Sequence, residues 1–149
     1  MVKRKRQPKD VPTLLADLES SATFVRRSAM IELVEKAAPE ASLPLQGLLH
    51  DREAAIRACA AWALGELGAD GAMDSLIASL KDMDVDVRRA AVQSLAQLAL
   101  PGSMAALESA SVDSDRWVAE WARRGLASLH KTTLRVRRRP KAGSGPSLN

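Results

Sequence analysis

The chain has 149 residues, of which 46% are hydrophobic and only 3% aromatic, with no Tyr. That is the length of one ordinary domain with enough apolar content for a core, drawn mostly from Ala and Leu, the strongest helix formers. The single cysteine, Cys59, excludes an internal disulfide or multi-cysteine metal site, and the net charge of +4 is all in the two ends, since residues 11–130 hold eleven basic and seventeen acidic residues.

Residues 1–9 form the first element, a basic arm carrying Lys3, Arg4, Lys5, Arg6 and Lys9, expected to be disordered. No apolar signal segment follows it, because Pro12, Asp17 and Glu19 interrupt the stretch behind. No run approaches the roughly 18 apolar residues of a membrane span. With a lone cysteine, this leads to the expectation of a cytoplasmic protein.

The body, 10–130, then alternates shorter and longer helices. The shorter ones are expected at about 11–19, 41–50, 71–80 and 103–110, the longer ones at about 24–37, 53–67, 85–99 and 115–129. They pair into units of about 8–38, 39–69, 70–100 and 101–130. Gly68 and Gly71, and then Pro101-Gly102, mark stops between units. Asp51, Asp82 and Asp113 precede longer helices, where a carboxylate complements the positive helix start and can cap its N–H groups. Residues 131–149, with Lys131, Arg135, Arg137, Arg138, Arg139 and Lys141 and no acid, are expected to be a disordered basic tail.

A period of 31 ties these elements together. Val25, Ile56, Val87 and Val118 are each 31 apart, as are Ala29, Ala60, Ala91 and Ala122, and Leu33, Leu64, Leu95 and Leu126. The three tracks are spaced i, i+4, i+8, one stripe of a helix. A further track, Leu14, Leu45, Leu76 and Leu107, marks the shorter helices, joined by Leu18, Leu49 and Leu80, with Ser111 breaking that row. A two-helix unit cannot bury such stripes alone, whereas stacked neighbours can. The Ala track lets adjacent helices approach closely. The predicted fold is all-α, an α-solenoid or superhelix of about four units.

The strings DREAAIRACAAWALGELG (51–68) and DVDVRRAAVQSLAQLA (84–99) resemble the HEAT-like repeats of phycobilisome lyases, an Asp-containing turn followed by V-R-x-x-A-x-x-A-L-G. The resemblance covers about residues 10–130. It implies a ladder of Asp and Arg bracing successive units, matched here by Asp51 with Arg57 and Asp82 with Arg88. The first copy has Ser20 and Arg26. The last has Asp113 but Ala119 in place of Arg, which suits a degenerate C-terminal cap.

No catalytic, cofactor or metal residues are assigned. His50 and His130 lie in different units without i, i+4 partners, and His-Glu pairs of the kind that HEAT-like lysine-modifying hydroxylases carry do not occur. Cys59, between two alanines, reads as a small buried hydrophobe. No nucleotide or nucleophile fingerprint appears. The expectation is a protein that is not an enzyme.

Subtracting the core tracks leaves two surface tracks on the longer helices: Arg27, Ala58, Arg89 and Glu120, and Ile31, Trp62, Gln93 and Arg124. They form one strip on what the resemblance implies is the concave side. Arg27, Ile31, Trp62, Arg89, Gln93, Glu120 and Arg124 are therefore the candidate protein-binding residues, Trp and Arg being frequent binding hot spots. Packing of Trp62 against a neighbouring unit, and plain solvation of the arginines, are the alternatives. Trp117 and Trp121 either close the end of the core or mark a docking patch, a route to self-association in an otherwise monomeric chain. The basic ends, through Lys3, Arg4, Lys5, Arg6, Arg135, Arg137, Arg138 and Arg139, have three readings: solubility, contact with nucleic acid or a ribonucleoprotein, or contact with an acidic protein surface or membrane headgroups. The function expected is a scaffold or adaptor binding a protein partner, the alternative being a nucleic-acid-associated protein gripping phosphates through its arms.

Overall fold

The first helix starts where Asp10 accepts the N–H of Thr13, with Pro12 set in the first turn where its missing donor costs nothing. In a computed structural model describing residues 8–137, eight α-helices follow in pairs. They are α1 (Val11–Asp17), α2 (Thr23–Glu35), α3 (Ser42–Leu48), α4 (Ala54–Glu66), α5 (Met73–Ser79), α6 (Val85–Leu98), α7 (Met104–Ala110) and α8 (Arg116–Arg137). Among the described residues there is no strand, and no helix is long and apolar enough to cross a membrane. The fold is an all-α repeat of four helix pairs.

Each of the first three units ends on a left-handed residue: Ala37 (φ 48°), Gly68 (φ 63°) and Ala99 (φ 47°), again 31 apart. There the chain reverses out of the helix; at the first two, the next N–H returns to the last turn, Ala38 to the Leu33 carbonyl and Ala69 to that of Leu64. Only Gly68 adopts this conformation freely; at the alanines it costs about 1 kcal/mol or more. A short 3₁₀ turn follows each reversal, at Pro39–Ala41, Asp70–Ala72 and Pro101–Ser103.

The fourth unit departs from this rule, and with it from the expected body boundary at 130. His130 occupies the reversal position and Thr132 the place of Pro39 and Pro101, so nothing stops α8, which runs on to Arg137. Residues 131–137 thus belong to the last helix and not to a disordered tail. Of the arm residues, Lys3, Arg4, Lys5, Arg6, Arg138 and Arg139 lie outside the described residues, as do the side chains of Arg135 and Arg137.

The core follows the tracks. Leu14, Leu45, Leu76 and Leu107 are fully buried, and Ala29, Ala60, Ala91 and Ala122 are at most 1% exposed. Each buried Leu contributes about 1.5–3 kcal/mol. Val25 and Leu126 are only half-buried, since their units lack a neighbour on one side; Leu80 is half-buried too. The longer helices approach very closely. A Cβ added at Gly65 of α4 would sit 2.3 Å from Ser94 Oγ and 2.9 Å from Ser94 Cα on α6, and one at Gly125 of α8 would meet Ala96 of α6 at 3.1 Å. The buried Ser94 hydroxyl donates to the Ala61 carbonyl at 2.8 Å, locking α6 onto α4.

Candidate functional site: a groove on the longer-helix face

Between units, one arginine of each longer helix reaches the aspartate before the next. Arg26 Nη1 donates to Asp51 at 2.5 Å, Arg57 grips Asp82 through Nε and Nη2 at 2.8 and 2.9 Å, and Arg88 grips Asp113 at 3.0 and 3.2 Å. Arg57 and Arg88 also donate to backbone carbonyls of their own turns, at Asp51 and Asp82. These side chains are only 10–18% exposed. The ladder implied by the resemblance is present, running from each unit's Arg to the following unit's Asp. It ends where Ala119, 3% exposed, replaces the arginine.

The aspartates do not cap the helices directly. Each accepts the N–H two residues on, at Glu53, Asp84 and Asp115, and Ser20 does the same for Ala22 in the first copy. The side-chain caps are one step further along: Asp84 takes the N–H groups of Asp86 and Val87, and Asp115 that of Val118.

Hydrogen bonds from Arg57 lower the Asp82 carboxyl below the usual carboxylate range. Burial pushes Asp113 up, but the Arg88 guanidinium and the Asp115 N–H outweigh it and leave it lowered. Arg89 and the Val118 N–H hold Asp115 at about 2. Depressed carboxylates stabilise the fold fully above their unfolded value near 4 and lose that contribution as pH falls through the folded value. The melting temperature is therefore expected to hold steady down to about pH 5 and to drop between about pH 4 and 2. Unchanged melting from pH 5 to pH 3 would contradict the ladder's role.

The strip of candidate residues divides in two. Arg27, Ile31 and Trp62 come together around a groove of about 500 Å³ between α2 and α4, lined also by Ala55, Ala58, Cys59 and Asp86. Ile31 is 42% exposed, and Trp62 is half-buried, packing its inner side on the core while its outer side forms the groove wall. Trp62 therefore packs on the core and also leaves one side on the groove. Cys59 is half-buried at the groove floor and not fully enclosed. Burial raises its pKa, with Arg27 opposing, so the thiol stays protonated at neutral pH.

The other candidates lie further along the strip, on α6 and α8. Arg89 binds Asp115 at 2.7 and 3.2 Å and Asp86 at 3.3 Å, tying α6 to α8. Gln93 is half-buried. Glu120 and Arg124 form an exposed i, i+4 pair at 2.6 Å, and the Arg124 guanidinium lies 5.5 Å over the ring of Trp121. Trp121 packs on the core, and Trp117 lies against it with ring centres 5.3 Å apart and planes tilted by 40°, while remaining 39% exposed. His50 and His130 are exposed on different units, and among the described residues no three His, Cys, Asp or Glu side chains group in a way that could hold a metal ion.

What sequence inspection missed was the contribution of Ala55, Cys59 and Asp86. The available signal was Ala58, a small residue on a track that carries Arg27 and Arg89 in the flanking units.

The chain is similar to the complex of CpcE and CpcF of phycocyanin lyase from Nostoc sp. PCC7120, at 25% identity and a TM-score of 0.75, over 89% of this chain and 58% of that one. It is similar to human deoxyhypusine hydroxylase, solved in complex with glycerol, at 31% identity and a TM-score of 0.70, over 82% of this chain and 44% of that one. An engineered protein shares the fold at 21% identity and a TM-score of 0.65, over 81% of this chain and 62% of that one. This chain spans less than two thirds of the length of each of them. A search of curated proteins finds no match. The family model for HEAT repeats matches residues 11–86 and, overlapping, 43–127. This chain belongs to the HEAT repeat family.

Proposed function

We propose that the chain is a non-catalytic cytoplasmic scaffold that binds a protein partner through its longer-helix face, centred on the groove between α2 and α4. The observation that carries this reading is the clustering of Ile31, Trp62 and Arg27 around one open groove of about 500 Å³. Exposed apolar surface beside a charged rim is the usual form of a binding hot spot. The HEAT repeat fold adds support, and one similar structure is itself a complex of two proteins. A binding role, as opposed to catalysis, is favoured by the groove's chemistry: its one nucleophile, Cys59, has its pKa raised by burial, and neither histidine lines it.

The test is a pull-down from source cells with the full chain, run with and without nuclease. Retention of a discrete partner is expected, resistant to nuclease and reduced at least tenfold by Ile31→Ser or Trp62→Ala. Ile31→Ser alters a side chain already 42% exposed, so the fold is kept. A partner held equally by both variants would sink the surface assignment. One lost on nuclease treatment would move the function to nucleic-acid contact.

A further inference from the structure

We propose that the groove between α2 and α4 takes a peptide segment presenting a large apolar side chain beside a carboxylate, the apolar group against Ile31 and Trp62 and the carboxylate on Arg27. This rests on the scaffold reading above and narrows it to one class of partner segment.

The groove exists because α4 is low between two taller helices. Ala55 and Ala58 line its floor, and Ala58 stands in register with Arg27 of α2 and Arg89 of α6. One long side chain is missing from the row, and the vacated volume opens onto Trp62 and Ile31. On α2, Phe24, Arg27 and Ile31 are spaced i, i+3, i+7 and share one face. Phe24 is 69% exposed, so the wall of the groove continues as apolar surface on either side of the guanidinium.

Beside the apolar wall the groove offers an arginine without a carboxylate partner among the described residues. Arg26, Arg57, Arg88, Arg89 and Arg124 each meet a carboxylate within 4 Å, whereas Arg27 meets none among the described residues. The reason lies in register. Arg89 finds Asp115 26 residues on; the same step from Arg27 reaches Glu53. Glu53 is already taken, its two oxygens accepting from Arg26 Nη2 and the Thr23 hydroxyl, each at 2.7 Å. Asp86, the groove's other charged residue, lies across α4 on α6 and is 73% exposed, with a single 3.3 Å contact to Arg89, whose shorter bond goes to Asp115. A carboxylate arriving beside an apolar anchor would gain a charge-assisted hydrogen bond from Arg27. A basic group beside that anchor would be repelled by Arg27.

The probe is a displayed random-peptide library selected against the immobilised full chain, with parallel selection on Arg27→Glu. Wild type is expected to enrich Leu, Ile, Phe or Trp within two positions of Asp or Glu. A synthetic peptide of that consensus should bind at least tenfold more weakly to Arg27→Glu and to Ile31→Ser. Replacing its acid by Lys should restore binding to Arg27→Glu. Arg27 makes no ion pair with the described residues, so its reversal leaves the fold intact, checked by an unchanged melting temperature. No consensus, a consensus without an acid, a basic consensus, or affinity indifferent to Arg27→Glu would each overturn the proposal. If the cellular partner is still lost with Ile31→Ser in that case, the scaffold reading stands and only the acidic partner class falls. If neither partner nor peptide responds to Ile31→Ser, both fall.

Discussion

Replacing Gly65 with Ala is expected to destabilise the protein by about 2 kcal/mol, although Ala is the better helix former by roughly 1 kcal/mol. The added Cβ would lie 2.3 Å from Ser94 Oγ and 2.9 Å from Ser94 Cα. The hydroxyl is bonded to the Ala61 carbonyl and cannot turn away without leaving buried groups unpaired, and the Cα is backbone of α6. The two helices must therefore separate, and overpacking of this kind costs about 1–3 kcal/mol. Gly47 of α3 supplies the matched control, since a Cβ there meets nothing within 4 Å. Gly47→Ala should stabilise by about 0.5–1 kcal/mol. Urea midpoints at constant slope would separate the two. If Gly65→Ala and Gly47→Ala moved the midpoint in the same direction, the close packing of α4 on α6 would be in error.

The second large effect belongs to the ladder. Asp82→Ala removes the acceptor for Arg57 Nε and Nη2 and, at the same time, the acceptor that closes the turn at the Asp84 N–H. The Arg57 side chain is only 18% exposed, so water replaces these bonds poorly. Breaking a largely buried pair on one side costs about 3 kcal/mol, most of it from the charge left behind. By contrast, Arg124→Ala breaks a pair whose side chains are 61% and 48% exposed and should change stability by about 0.5 kcal/mol or less. Equal effects from the two substitutions would show that the ladder braces nothing.

The architecture was legible because stacking forces the same position in each unit to face the same neighbour. The Leu14 and Ala29 tracks could be read as core from spacing alone, and the structure buries both throughout. The end of α8 was not legible in that way. The other units stop at Ala37, Gly68 and Ala99, and only one of these is a glycine, so the one compositional mark of the missing stop is Thr132 in the place of Pro39 and Pro101, a weak one because the second unit has Asp70 there. The surface strip was half legible for a related reason. The i, i+4 rule groups residues along one helix, but partners across units lie 25 or 26 residues away. Arg89 was counted as open surface although Asp115 claims it, and Arg27 is left open only because Arg26 and Thr23 claim Glu53. The groove is a negative feature, made by what Ala55 and Ala58 lack, and a list of prominent residues does not reveal it.

The most direct test places a photo-crosslinking amino acid at position 62 in the groove wall, and another at position 43, where Leu43 is 78% exposed on a shorter helix. Irradiation in source cells should give a discrete protein adduct from position 62 that survives nuclease, and little from position 43. Adducts from position 43 alone, or none from position 62 under conditions where the partner is retained, would contradict a partner surface on the longer helices.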